Sequence, residues 1–280
     1  MDNWLKIKIG NHDEVDSSTI TDRLTFLELD STPQIAHTYQ TQAGINGSLY
    51  ETSQYNQSTV NLKFLVRFGS WKDLQLARHD IYRFFLTKEQ IRVRCSSTPN
   101  KVYYCRATPF ELYPEKVGHH GIVFTVPLDN PSGMAYSIAP SDEIVNITEN
   151  NEWSYGMNIP TGKVLQYHYV NENSFDIYNP SDIPVNPYLQ DGKLTIQLKF
   201  SGSSCTIKNT TNNTEWTYKS SSNGQDTILL NGVSSSLNGQ PCSKNTDYGH
   251  IKLEPGDNNI EVSGANSFDI VFSFPFVFLN

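Results

Sequence analysis

The sequence predicts a mainly β protein: a β domain carrying one α-helix, followed by a strand-only second half built as a β-sandwich. Three observations carry that expectation. Residues 59–107 read as a strand, a helix and a two-stranded hairpin in immediate succession. Fifteen Tyr and fourteen Phe accompany seventeen Gly and fourteen Pro, a balance that favours strands and turns over a helical bundle. The second half alternates short apolar runs with turns rich in Asn, Gly, Ser and Pro, which is the spacing of a sandwich.

In chain order, LTFLEL and QIAHTY are the first candidate strands. The polar stretch between Thr41 and Ser58 is too long for a tight turn and reads as an extended hairpin or arm. TVNLKFLVRF then places Val60, Leu62, Phe64, Val66 and Phe68 on one face at the strand period of two. After Gly69 the spacing becomes helical over about 71–86, with Leu74, Ala77, Ile81, Phe84 and Phe85 on one stripe. Ser70, with Asp73 three residues on, supplies a capping box. IRVRC and VYYCRA form the hairpin around SSTPNK, and PFELYPEKVGHHGIVFTVPL gives a further strand pair. Turn residues in DNPSGMAYSIAPSD close the first domain, set at 1–147 with the second at 148–280.

The second half offers short strands at LQYHYV, SFDIYN, KLTIQLKF, SCTIKN, EWTYKS, DTILLN, GHIKL, NIEVSG and FDIVFSFPFVFL. No fixed-period repeat is present.

Charge and composition exclude several function classes. The formal net charge of −8 opposes non-specific nucleic-acid binding through the bulk field. Residues 1–147 carry 14 Lys and Arg against 16 Asp and Glu; the remainder carries seven bases, all Lys, against 13 acids. A half without Arg has no bidentate fork for phosphate. Mean hydropathy is −0.46 and no run reaches membrane-spanning length. The opening MDNWLKIKIGNHDEV lacks an apolar core and a small-residue cleavage site, so no signal peptide is expected. Four scattered Cys make neither a disulfide framework nor a zinc site. Cys95 and Cys105 flank the hairpin turn, where buried free thiols and a cross-hairpin pairing both remain open.

Catalytic motifs are missing from the sequence: there is no GxSxG, HExxH, P-loop or CxxC. No enzyme activity, metal or cofactor is expected. His119 and His120 are adjacent between glycines and read as a turn. Two non-catalytic signals stand out. Leu76 projects from the polar side of the helix among Lys72, His79, Asp80 and Arg83. The second half also carries Trp153, Tyr155, Tyr167, Tyr169, Tyr178, Tyr188, Trp216 and Tyr218, which serve either as core or as a stacking platform for sugar rings. A carbohydrate-binding module or adhesin recognising host cell-wall sugars is therefore the alternative reading, and a hydrolase with an unrecognised carboxylate pair is a third.

Several segments together resemble the distal tail proteins (Dit) of siphophages infecting Gram-positive hosts. They are QAGINGS at 42–48, the strand-helix-strand run from Thr59 to Cys95, VPLDNPSGMAYSI at 126–138, and the Leu-x-Pro-Gly-x-Asn run of Leu253, Pro255, Gly256 and Asn258. The resemblance implies an N-terminal ring-forming β domain and a C-terminal galectin-like or carbohydrate-module-like sandwich. It also implies a homohexameric ring in the virion tail tip, assembled in the host cytoplasm. Such a ring joins the tail tube protein to tail-associated lysin and to baseplate or receptor-binding proteins, with no membrane and no specific nucleic acid as partner. The candidate ring interface comprises Gly44, Asn46, Gly47, Tyr50, Tyr55, Leu76 and Arg83.

Overall fold

The computed structural model describes residues 3–114, 118–143, 156–160, 162–189 and 193–279. Two compact units emerge, Met1–Ala135 with Leu279–Asn280, and Tyr136–Phe278. The boundary expected at 147/148 lies outside the described residues, as do Trp153 and Tyr155.

The first unit contains β1 (Leu5–Ile9), β2 (Val15–Asp16), β3 (Leu24–Ser31), β4 (Gln34–Gln40), β5 (Leu49–Asn56), β6 (Ser58–Arg67), helix α1 (Trp71–Phe85), β7 (Ile91–Cys95), β8 (Lys101–Ala107) and β9 (Gly121–Asn130). One antiparallel sheet runs in the order β2-β1-β7-β8-β9-β6-β3, while β4 and β5 pair only with each other. The period of two in β6 buries Val60, Leu62, Phe64 and Val66. Phe64 is the centre of the core. Its ring meets Phe26 at 5.9 Å, Phe85 at 5.7 Å and Phe124 at 5.6 Å. Helix α1 docks there through Leu74, Ala77, Ile81 and Phe85. Its first turn is capped as expected, with Ser70 Oγ accepting from the Asp73 amide at 3.2 Å.

The second unit begins within β10 (Ala135–Ser137) and contains β11 (His168–Val170), β12 (Ser174–Asn179), β13 (Thr195–Asn209), β14 (Thr214–Tyr218), β15 (Ser222–Asn223), β16 (Ile228–Asn231), β17 (Ser234–Leu237), β18 (Gln240–Pro241), β19 (Gly256–Ser273) and β20 (Val277–Phe278). Short β10 pairs with β20. Long β13 and β19 pair along their length and share short partners at each end: β12 and β11 on β19, β14 and β16 on β13. Phe175 sits opposite Ile260, yet its ring is 6.1 Å from that of Phe272. Twelve residues of straight strand would span on the order of 40 Å. The long strands therefore fold over, and the two ends of the sheet face each other as the layers of a sandwich.

Several expectations need correction. KLTIQLKF and SCTIKN are one strand, as are NIEVSG and the start of FDIVFSFPFVFL. The intervening SGSS and SGAN segments look like turns but form irregular pairing steps between β13 and β19. Gly202 and Gly264 there have φ of 151° and 84°, and a Cβ on either would press on the opposing backbone. GHIKL makes only a single bridge, Val185 with Leu253. Among the described residues of PFELYPEKVGHHGIVFTVPL, only the second member of the expected pair is a strand. Residues 108–114 run without a ladder, and the Leu112 amide donates to Tyr82 Oη at 3.2 Å. Phe84 sits at the margin of the helical stripe and is half-buried. Cys95 lies opposite Leu5, and Cys105 opposite Ile91, so the β7–β8 register never sets the two thiols face to face. All four cysteines are free and buried.

Candidate assembly surface

The seven candidate interface residues divide between two features of the first unit. The first is an arm. Strands β3 and β6 pair as far as Ser31 and Val60, and pairing resumes at Gln34 and Asn56 in β4 and β5. Pro33 stands in the gap, where it has no N–H to donate. The expected arm over 41–58 thus extends further than its polar tip: QIAHTY is its outgoing strand, and 41–48 is the turn.

Alternation sorts the arm into two faces. Cross-strand partners Ile35 and Tyr55, His37 and Ser53, and Tyr39 and Tyr50 share one of them. The rings of His37, Tyr39 and Tyr50 cluster within 6.4 Å, and Ser53 Oγ bonds both His37 Nδ1 and Tyr50 Oη. The opposite face carries Gln34, Ala36, Thr38, Thr52 and Gln54. Glu51 is the extra residue at a bulge and the one charged side chain in Asp, Glu, Lys or Arg between 34 and 56. Ile35, Tyr39, Leu49, Tyr50 and Tyr55 are all exposed, Tyr50 to 60%. An isolated two-stranded hairpin is marginally stable in water, and this one keeps its aromatic face wet.

The root of the arm is fixed. Gly133 has φ 68°, and a Cβ there would overlap the Asn56 carbonyl oxygen. Buried Asn130 donates to the Met134 carbonyl at 3.0 Å and to Ser58 Oγ at 3.4 Å, while Ser132 Oγ donates back to Asn130 Oδ1 at 2.9 Å. The Asn-Pro-Ser-Gly segment is therefore a turn packed against residues 56–58. Gly44, Asn46 and Gly47 lie in the tip turn, and Tyr50 and Tyr55 on β5.

The second feature is a cleft beside α1. Two adjoining hollows of about 470 Å³ and 570 Å³ share Thr19, Ile20 and Asp80. Arg83 lines the first and Leu76, exposed to 68%, the second. The first hollow has apolar walls from Ile9, Val15, Ile20 and Phe84, with carboxylates at Asp13, Asp80 and Glu89. Asp80 pairs with Arg83 at 3.2 Å. Among the described residues, Asp13 and Glu89 have no side-chain partner.

Chemistry elsewhere is structural. Glu14 takes both Arg92 and Arg94, and its hydrogen bond from Arg94 above all holds its carboxyl below the usual range. Burial pushes the Cys105 and Cys205 thiols up to about 12, which keeps them unreactive near neutrality. His120 bonds the Phe68 carbonyl ahead of the helix. No cluster of three or more metal-ligating side chains occurs among the described residues. Tyr167, Tyr169, Trp216 and Tyr218 are buried in the sandwich; Tyr188 is exposed.

A β sheet with one docked helix and a long exposed ribbon defines the class. Residues 15–125 match the family described as the phage tail protein RIFT-related domain, a stretch that holds the arm and α1. The particular likeness is to the crystal structure of SPP1 Dit (gp 19.1), described as a paradigm of hub adsorption apparatus in Gram-positive infecting phages. It has a TM-score of 0.65 at 15% identity and covers 97% of this chain and 99% of that one. Both findings bear out the resemblance to siphophage distal tail proteins and the mainly β fold. Chains of the phage p2 baseplate in its activated conformation, with Ca and with Sr, align over 98% and 97% of this chain and equal shares of their own. Their identities are 11% and 12%, and their TM-scores of 0.42 and 0.40 are too low to build on. No curated protein matches the sequence.

Proposed function

We propose that this chain is the structural hub of a siphophage tail tip, forming a homohexameric ring between the tail tube and the tail-associated lysin and baseplate or receptor-binding proteins. The observation that carries the proposal is the arm, an amphipathic ribbon whose aromatic face is left exposed by the described residues of its own subunit. Each of its large side chains is worth roughly 1.5–3 kcal/mol if fully buried, before the costs of association are subtracted. A ring closed by rotation needs two different surfaces per subunit, one meeting the other head to tail. The arm, with Gly44, Asn46, Gly47, Tyr50 and Tyr55, and the cleft side of α1, with Leu76 and Arg83, supply two such surfaces. The role is structural rather than catalytic, and its place is the virion, reached by assembly in the host cytoplasm.

Mass in solution tests this directly. The expected outcome is a six-subunit species, either alone or on adding tube protein, seen as six-fold rings in negative stain. A strict monomer under both conditions that binds host cell walls would replace the hub with the carbohydrate-binding reading.

A further inference from the structure

We infer that Asn46 is a self-modification site, where the Gly47 backbone nitrogen converts the side-chain amide to an aspartate or isoaspartate without an enzyme. The co-reactant is water and the leaving group is ammonia. This chemistry goes beyond the hub reading and does not depend on it.

The starting point is a dipeptide. An asparagine side-chain carbonyl lies within reach of the next residue's backbone nitrogen, and closing that ring gives a five-membered succinimide. Glycine is the most permissive successor, because no Cβ stands beside the attacking nitrogen and its backbone angles are free. The chain has four Asn-Gly pairs, with Asn at 46, 223, 231 and 238. Sequence does not rank them. The fold does.

Three of the four are restrained. Asn238 Oδ1 accepts from the Thr227 amide at 2.9 Å and its Nδ2 donates to Asp226 at 2.8 Å, so both ends of the side-chain amide are tied. Asn231 lies in β16, and the Gly232 amide that would attack it donates to the Leu194 carbonyl at 2.8 Å. Asn223 lies in β15; its Oδ1 accepts from the Gln225 amide at 3.0 Å, and the Gly224 amide donates to Ser222 Oγ at 3.5 Å. Reaction at any of them first breaks a bond of the folded chain.

Asn46 is different. It sits in the exposed turn between β4 and β5, where the Ile45 amide donates to the Gln42 carbonyl at 3.3 Å. Among the described residues, neither the Asn46 side-chain amide nor the Gly47 N–H has a partner. Beyond its chain neighbours, no atom lies within 4 Å of where a Cβ would stand on Gly47. Electrophile and nucleophile are adjacent, unpaired and uncrowded.

The steps balance without an oxidant or reductant. Solvent base removes the Gly47 amide proton and the nitrogen attacks Asn46 Cγ. The Cγ–Nδ2 bond breaks, and Nδ2 leaves as ammonia after taking up a proton. Water then adds to either succinimide carbonyl. One opening gives aspartate at position 46; the other gives isoaspartate, with the main chain routed through the former side chain. Between residues 34 and 56 Glu51 is the one Asp, Glu, Lys or Arg, so either product doubles the formal negative charge of the ribbon. Isoaspartate also adds a backbone carbon to the turn that follows the Gln40–Leu49 pair.

The test follows all four positions in one full-length chain. Subunits kept apart by dilution are incubated in mildly alkaline buffer and sampled by peptide mass mapping and isoaspartyl methyltransferase labelling. Should rings persist on dilution, Leu76→Glu, outside the turn, supplies the subunit. Position 46 should convert at least about tenfold faster than 223, 231 and 238, the factor for one hydrogen bond's worth of protection. In denaturant the four rates should converge, since the restraint belongs to the fold. Asn46→Gln should remove most of the isoaspartate signal of the folded chain while leaving its melting temperature unchanged. A smaller lead for position 46, or an equal lead that survives in denaturant, overturns the inference. So does a folded chain that holds Asn46 intact while the unfolded chain converts.

Discussion

Asn258 shows how a short sequence signature acts at the scale of one side chain. It is fully buried, its Nδ2 donates to the Glu254 carbonyl at 2.7 Å and the Gly256 carbonyl at 3.1 Å, and its Oδ1 accepts from the Glu254 amide at 2.8 Å. Asn209 Nδ2 reaches the same oxygen at 2.9 Å, and Asn179 holds the Leu253 carbonyl. The Leu-x-Pro-Gly-x-Asn run is therefore a turn locked by its own last residue, with Gly256 at φ 89°. Asn258→Ala should cost on the order of 2–4 kcal/mol in chemical denaturation, since several buried groups lose their partner at once. Glu14 makes a pH-dependent contribution of known sign. Its folded value is depressed below 4.5, so the stability it confers is present above that value and is lost as pH falls through the folded one. Glu14→Gln should lower the melting temperature at pH 7, and the gap from the parent should close well below pH 4. Glu14 looks ordinary in the sequence, and the signature marks Asn258 without showing its partners. Neither the Glu14–Arg94 fork, separated by 80 positions, nor the Asn209–Asn258 contact is visible to local periodicity.

At the scale of elements, reading and structure agree best where one face is buried. The strand β6, helix α1 and its Ser70 cap, and the β7–β8 hairpin stand where the pattern sets them, because burial of alternate or every third to fourth residue is itself the pattern. They diverge where glycine carries a strand through a bend. Gly202 and Gly264 read as turns, yet both lie inside long paired strands, and only the partner strand reveals it. The arm diverges for the converse reason. Without a buried face, QIAHTY and the polar stretch after it give no common period, so their pairing into one ribbon escapes the sequence. Gly133→Ala tests the arm root. Overlap with the Asn56 carbonyl and a positive φ should displace the ribbon, so ring formation should fall more than a modest loss in melting temperature explains. Leu76→Glu addresses the cleft side. Leu76 is solvent-facing, so its melting temperature should stay within about 1 °C of the parent, since exposed substitutions fall within roughly 0.5 kcal/mol. Assembly should weaken. A drop of several degrees would instead assign Leu76 to the fold.

At the scale of the whole molecule, each unit has its own core of buried aromatics, and three of the exposed ones, Tyr39, Tyr50 and Tyr55, are gathered on the ribbon. The sequence by itself determined the mainly β class, the capped helix α1, the strand-rich second half and the likeness to phage distal tail proteins. Each of these rests on residues within a few positions of one another, where covalent geometry couples pattern to structure. Only the tertiary structure decided the register that keeps Cys95 and Cys105 apart, the fold-over of β13 and β19, and the length and root of the arm. It also decided the cleft that joins residues 7–23 to residues 67–89. Those features depend on which distant segments pair. That choice is made by the summed burial of whole faces, which no local window contains.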